Sequence, residues 1–498
     1  MTTIHVAGAT IHGTEVEAFG TTVNAFYGIP YAQAPVGTRR FLAPTPATLP
    51  AEFHATAYGP TAAQKQYPDA ALALMDNPII EGENSLNLNI WTPDTAGCAP
   101  VYVYIHGGAY RNGSGAGETI SGTSFAANGI VTVTLNYRLG AEGGIQLADG
   151  TSNNMLRDQI AALTWVRDNI AAFGGNPDHV VVGGESAGAM SIGALLSSPQ
   201  AKGLFHAAIM ESGATHNVVS QKAALAAGER FAEVVGKEPT AAALGELSEE
   251  EVLAASASVE AELGASADTA RYADLAANSM TWQPSVDGDV LPRHPLDALA
   301  AGEALDVPVL IGTNQDEGTL FVAGLGRYTS ATEEILHAAV VASGAANPDK
   351  VVELSTSPDN PHAGESLTTF VDMWKFQLPL HAFLEGRAGY DSPTYRYKFT
   401  WRSEKFGGAL GSFHTVELPF VFNTVATESG KRILGEGLPA AVSKAAHGAW
   451  VSFIKTFDPG WSPYNSGDTT TTGVFDANGL HIEADLDKDT FTAWQGQR

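Results

Sequence analysis

The sequence predicts an α/β protein built on a mostly parallel central sheet flanked by helices. Three observations carry that prediction. Buried-strand runs such as PVYVYIHGG, VTVTLNYRLG and HVVVGGES recur between helical patterns, which is the rhythm of crossover connections and of a sheet covered on both faces. No solenoid-like period repeats along the chain. No Pro/Gly/Ser linker divides it, so the 498 residues read as one continuous unit.

Residues 1–100 alternate short β-rich runs with turn clusters such as IPYAQAPVG and close on LNLNIWTP, a strand stopped by proline. PVYVYIHGG and VTVTLNYRLG follow as buried strands that end in glycine, and DQIAALTWVRDNIAAFGG is an amphipathic helix closed by glycine. HVVVGGES is a third strand that runs directly into the small-residue helix AGAMSIGALLSS. Over about 217–280 the composition shifts to Ala, Glu and Leu, as in AALAAGERFAEVVG and SEEEVLAASASVEAEL, with acidic residues in the first turns, where the helix dipole favours them. This reads as a helical insertion. The sheet resumes at VPVLIGTNQDEG, a second mostly helical stretch covers 320–390, and a strand returns at YRYKFTW. A helix over 440–456 and a short tail finish the chain.

Charge narrows the function. With 27 basic against 54 acidic residues the net charge is -27. Such a polyanion repels phosphate backbones and anionic lipid headgroups, so neither nucleic acid nor a membrane surface is expected as a partner. Mean hydropathy is -0.02, no apolar run is long enough to span a bilayer, and MTTIHVAGATIHG lacks the cationic start and apolar core of a signal peptide. The single cysteine, Cys98, cannot close an internal disulfide. A cytoplasmic protein, monomeric or weakly homo-oligomeric, is expected.

The strongest chemical signal is Gly184-Glu185-Ser186-Ala187-Gly188, a G-x-S-x-G between a predicted strand and a predicted helix. A sharp strand-to-helix turn puts its serine in strained geometry that bulkier neighbours would obstruct, and presents the hydroxyl at the carboxyl edge of the sheet. Attack on a carbonyl also needs donors for the oxyanion. His106-Gly107-Gly108-Ala109 follows a buried strand upstream, so the N–H groups of Gly108, Ala109 and Ala187 are the expected donors. A base and an acid should follow the serine in that chain order. Asp316 and Glu317 both stand at a strand's carboxyl end, where open α/β sheets place their sites, and either could orient a histidine. Of the nine histidines after Ser186, only His414 lies in a loop shortly after a convincing late strand. No HExxH, CxxC or clustered ligand spacing calls for a metal, and no G-x-G-x-x-G follows a strand to call for a dinucleotide, so no cofactor is expected.

These residues sit among many ordered matches to one family. They include Gly28-Ile29-Pro30-Tyr31-Ala32, Glu83-Asn84-Ser85-Leu86-Asn87-Leu88-Asn89, Asn136-Tyr137-Arg138-Leu139-Gly140, Phe173-Gly174-Gly175-Asn176-Pro177, Glu211-Ser212-Gly213, Gly312-Thr313-Asn314-Gln315-Asp316-Glu317-Gly318 and His414-Thr415-Val416-Glu417-Leu418-Pro419-Phe420. Over nearly its whole length the chain resembles the type B carboxylesterases, the α/β-hydrolase family that includes bacterial para-nitrobenzyl esterases. The resemblance implies a single α/β-hydrolase domain over 1–498, with the two helical insertions over the active site. It also implies Ser186 as nucleophile, His414 as base, Glu317 rather than Asp316 as the acid, and Gly108, Ala109 and Ala187 as the oxyanion hole. Arg40 with Glu83, and Arg138 with Asp158, match positions that form structural ion pairs in relatives.

Departures from the family pattern also inform. Ser85 stands where secreted relatives carry a cysteine, Glu211 replaces a glutamine, Thr415 replaces a glycine, and no tryptophan precedes Trp91 to stack a choline. The expected activity is hydrolysis of small to medium carboxylic esters, aromatic ones included, through an acyl-enzyme on Ser186. Phe321, Phe370, Trp374 and Phe376 are candidate walls of the substrate gorge. The same triad could serve carbamates or aryl amides, and a catalytically silent binding protein is the alternative of a different class.

Overall fold

Alternation along the strands places the core on both faces of one large sheet. In Ala99–Ile105, the side chains of Val101, Val103 and Ile105 join one hydrophobic cluster while Tyr102 and Tyr104 join another. Ala208 and Met210 separate from Ala207 and Ile209 in the same way, and Val309 and Ile311 from Leu310. This is the period of two that a strand imposes, with helices closing both sides. The computed structural model describes residues 2–6, 8–265, 271–272, 275, 280–465 and 469–498.

Across the sheet the strands run Thr14–Ala18, Thr21–Pro30, Asn87–Thr92, Val131–Leu135, Ala99–Ile105, Gly175–Glu185, Ala207–Glu211, Val309–Asn314, Thr394–Phe399, Thr471–Asp476 and Gly479–Ala484. From Val131–Leu135 to Thr471–Asp476 every pairing is parallel, and both edges are antiparallel. This is the mostly parallel, helix-flanked sheet that the strand rhythm predicts, as expected of the α/β-hydrolase fold that the resemblance implies. A separate three-stranded sheet joins Thr3–Val6, Ala9–His12 and Glu52–His54.

The expected short tail is more than a tail, because Thr471–Asp476 and Gly479–Ala484 form a hairpin that extends the main sheet. Its outer strand, GLHIEA, is largely exposed and lacks the continuous apolar run that marks the buried central strands.

Helices occupy the segments where the composition shifts. Gln221–Val235 starts at Ser220, whose side chain accepts from the Ala223 N–H, and stops at Gly236 with φ 64°. Ala241–Leu244 and Glu249–Ala265 follow. Residues 266–270, 273–274 and 276–279 of the predicted insertion lie outside the described residues. Glu333–Ala342, Pro348–Ser355, Ala363–Asp372 and Leu378–Gly386 occupy the second helical stretch, with π-helical turns at Leu320–Gly324 and Met373–Gln377. Among the described residues no helix is long and apolar enough to cross a membrane.

Two buried ion pairs brace the scaffold, and one differs from expectation. Arg138 and Asp158 pair at 2.6 Å, both buried. Arg40 pairs not with Glu83 but with Glu142, at 2.8 Å. Glu83 is exposed, whereas Glu142 is buried in the turn Gly140–Gly144 and offers its carboxylate at the depth of the guanidinium. A buried charge without a buried partner is the costlier arrangement.

Candidate active site

The carboxyl ends of four adjacent strands define the site. Gly184 lies in register with Ile105 on one side and Met210 on the other, and Glu211 with Gly312, so Ser186 leaves its strand beside His106 and Ser212. Ser186 caps the helix Ala187–Leu196 with φ 53° and ψ -121°, a conformation that strains any residue with a side chain. Its N–H donates to the Glu211 carbonyl at 2.8 Å. The flanking glycines let the helix close onto the strand: a Cβ on Gly188 would lie 2.0 Å from the carbonyl oxygen of Ile105.

The loop after Ala99–Ile105 turns just as sharply. Gly108, Ala109 and Tyr110 have φ of 108°, 55° and 57°. A Cβ on Gly107 would come within 3.1 Å of the Ser186 Cβ, so the loop lies directly against the serine. His106 pins it, with Nδ1 2.8 Å from the Gly107 carbonyl oxygen and its ring stacked on Tyr137 at 4.5 Å. Burial pushes His106 down to about 4, so the ring is neutral and Nδ1–H donates to that carbonyl. Among the described residues the N–H groups of Gly108, Ala109 and Ala187 donate to no protein acceptor. Three backbone donors beside one serine hydroxyl are therefore free to receive a negative oxygen.

His414 comes from the loop after Thr394–Phe399. Its Nδ1 lies 2.6 Å from Glu317 Oε2, and both residues are buried. Glu317 is held in turn, since Oε1 accepts the Asn314 N–H at 2.7 Å and its own N–H donates to Asp372 at 3.1 Å. Asp316 turns outward instead, accepting from Arg402 at 2.6 Å and from the Ser412 N–H at 2.8 Å. Of the two carboxylates the residue pattern left open, the fold brings Glu317 to the imidazole.

The His414 ring rests against Phe376 at 4.8 Å and Phe321 at 5.1 Å, and these two rings stack on each other at 5.7 Å. Both phenylalanines stand in the π-helical turns, a rare geometry that recurs at functional sites. The next residue, Thr415, has φ 76°, a costly conformation for a β-branched residue at a position where relatives carry glycine.

Three further carboxyls matter here, of which the reading of the residues singled out Glu211 alone, as a departure from the family glutamine. Glu185 Oε1 lies 3.0 Å from Nε2 of His414. Burial, with a smaller contribution from Glu317, pushes the Glu185 carboxyl well above the usual range. Glu417 is pushed up to about 8, chiefly by burial and then by Glu185 and Glu317. Glu211 is raised well above the usual range by burial and then by Glu417. In all three, burial favours the neutral acid over the carboxylate. A usable signal existed: Glu185 and Glu211 end neighbouring strands in register, so two glutamates at strand ends flanking a G-x-S-x-G must face one interior.

Two cavities open beside this constellation. One of about 80 Å³ is lined by Gly107, Gly108, Glu185, Thr415 and Asp76. The other, of about 550 Å³, is lined by Ala109, Phe321, Trp282, Phe370 and Trp374. Of the four candidate gorge aromatics, Phe321, Phe370 and Trp374 thus line the larger cavity, and Phe376 backs the histidine.

Comparison with known proteins bears on the whole length. The sequence profile of the carboxylesterase family matches residues 1–479. The chain is 37% identical to the para-nitrobenzyl esterase of Bacillus subtilis (strain 168) over 488 residues, 94% of each chain. It is 30% identical to the phenmedipham hydrolase of Pseudarthrobacter oxydans over 484 residues, 93% of each. Among solved structures, a thermophilic PNB esterase superposes with a TM-score of 0.86 at 34% identity over 99% of both chains. A carboxylesterase of Geobacillus stearothermophilus superposes with a TM-score of 0.84 at 32% identity, over 99% of this chain and 100% of that one.

Proposed function

The chain belongs to the carboxylesterase family and is a carboxylic ester hydrolase, and from that premise we propose that Ser186 is its nucleophile, His414 its general base and Glu317 the acid that orients His414. The observation that carries this reading is the 2.6 Å contact between His414 and Glu317 next to a serine held at φ 53°. Nε2 of His414 takes the Ser186 proton as Oγ attacks the ester carbonyl. The oxyanion is received by the N–H groups of Gly108, Ala109 and Ala187, and removing one such donor typically costs ~10² to 10³ in rate. His414 then protonates the leaving alcohol and activates the water that releases the acid. Glu317 fixes the imidazole tautomer and stabilises the imidazolium.

Small to medium esters with an aromatic group are the proposed substrates. The aromatic lining of the larger cavity supports them, as does the relative named for para-nitrobenzyl esters. We read the chain as one catalytic unit whose helical insertions at about 217–280 and 320–390 shape that cavity. We place its work on free small molecules in the cytoplasm, as a monomer or weak homo-oligomer. The deciding experiment is hydrolysis of para-nitrophenyl esters from acetyl to dodecanoyl, with Ser186→Ala in parallel. Fast cleavage of short chains that drops by roughly 10⁶ in the variant supports the assignment. Activity that survives the substitution refutes it.

A further inference from the structure

Among the described residues, the lining of the larger cavity has more cations than anions, opposite to the balance of the whole chain. The chain has a net charge of -27, yet the cavity that meets Ala109 and Phe321 is lined by Arg111, Arg327 and Lys375 against a single described carboxylate, Glu260. Arg111 already claims Glu260, at 3.2 Å. Neither Lys375 nor Arg327 makes an ion pair among the described residues, and the Lys375 ammonium faces the Phe321 ring at 6.0 Å. In a protein with 54 acidic side chains, two cations of this lining have no ion-pair partner among the described residues.

Position makes Lys375 the more telling of the two. It stands in the π-helical turn Met373–Gln377, one residue before Phe376, which touches the His414 ring. Its ammonium is 6.0 Å from the Phe321 centroid, which is 5.1 Å from the His414 centroid, so it lies no more than about 11 Å from the imidazole. A group reaching it from the reacting ester must be several bonds away. The partly desolvated ammonium is also an uncomfortable one: burial, followed by Arg327 and Arg498, pushes it down to about 8. It remains mainly cationic at neutral pH, and an arriving anion would relieve both the lost hydration and the repulsion.

We propose that the site takes esters that carry a second, ionised carboxylate, such as monoesters of dicarboxylic acids, with that carboxylate bound by Lys375 in the larger cavity. The inference rests on the esterase reading above and deepens it. The chemistry is unchanged: water cleaves the acyl–oxygen bond, and the products are a dicarboxylic acid and an alcohol. Lys375 acts in binding alone, since a charge-assisted contact to a carboxylate is stronger than a neutral one and discriminates against the neutral diester.

The test compares kcat/KM of the full-length enzyme for monomethyl and dimethyl suberate and for monomethyl and dimethyl terephthalate. Wild type, Ser186→Ala, Lys375→Met and Lys375→Glu are assayed together. The expected result is that Lys375→Met lowers the monoester-to-diester ratio about tenfold, chiefly through KM of the monoester, a size typical of losing one charge-assisted hydrogen bond. Lys375→Glu should lower it further and raise the relative rate on methyl 6-aminohexanoate. A ratio that neither substitution moves, or a wild type that rejects both monoesters, overturns the inference. Should the variants fail to fold, the ratio in wild type must fall as salt is raised, and a flat response is equally fatal. Loss of the esterase reading looks different: Ser186→Ala would still cleave the dimethyl esters.

Discussion

Nε2 of His414 lies 3.0 Å from Oε1 of Glu185, on the edge of the ring opposite to Glu317. One imidazole is thus gripped between two carboxyls of different character. Glu317 is satisfied by the Asn314 N–H. Glu185 is buried and its carboxyl is pushed well above the usual range, which favours the neutral acid, and it faces Nε2 at 3.0 Å without a hydrogen bond to it. On the assignment proposed above, Nε2 also receives the serine proton, so the Glu185 contact has to yield during turnover.

Replacing Glu185 by glutamine therefore exchanges one neutral group for another. Glu185→Gln should retain kcat/KM within about tenfold, with the acid limb of its pH profile unmoved. A limb displaced by a pH unit or more would mean that Glu185 is ionised beside the histidine, since removing a neighbouring charge is what moves such a limb.

Strain at Ser186 makes a prediction about stability that runs against helix propensity. At φ 53° and ψ -121° a side chain costs ~1–3 kcal/mol, more than the chain entropy glycine adds. Ser186→Gly and Ser186→Ala should both be inactive, with the glycine variant more stable by about 1 kcal/mol. Denaturant titration that ranks alanine above glycine would remove the strain argument.

Buried Glu211 predicts a pH-dependent stability. Its carboxyl titrates well above the ordinary 4.5 when folded. Below that value both folded and unfolded chains hold the proton and stability is at its fullest. As pH rises, the unfolded chain releases the proton while the folded one keeps it, so stability declines. Glu211→Gln abolishes the decline, and its Tm advantage over wild type should widen between pH 5 and pH 8. A gap that stays constant would show that Glu211 ionises in the fold as it does in water.

Glu142 is pushed up to about 7, burial outweighing the nearby guanidinium of Arg40. Arg40→Met removes that compensation and should cost roughly 3–5 kcal/mol above pH 7, less at pH 5, where Glu142 is protonated in both variants. Adding Glu142→Gln should recover a large part of the loss. A double-mutant cycle giving no coupling between the two positions would contradict the pair.

Sequence and structure divide the account along a clear line. The strands at Ala99–Ile105, Gly175–Glu185 and Val309–Asn314, and the turn into the helix at Ala187, follow from apolar runs, from alternation and from paired glycines. These are properties of neighbours along the chain, so they can be read there. Which groups meet is another matter. Asp316 and Glu317 are adjacent and chemically alike, and only the packing of Arg402 against one and His414 against the other separates them. Arg40 had Glu83 and Glu142 within the same chemistry, and depth of burial chose between them. Glu185 reaching across to His414, and Lys375 facing the Phe321 ring, are likewise contacts between segments distant in sequence.

By itself, then, the sequence determined the α/β sheet, the serine turn, the loop of backbone donors and the histidine that follows a late strand, because backbone periodicity and glycine conformation are local. The tertiary structure decided which carboxyl faces which edge of His414, which acid compensates Arg40, and which described side chains line the larger cavity. Desolvation and Coulomb energy depend on distances across the fold, and residue order does not contain those distances.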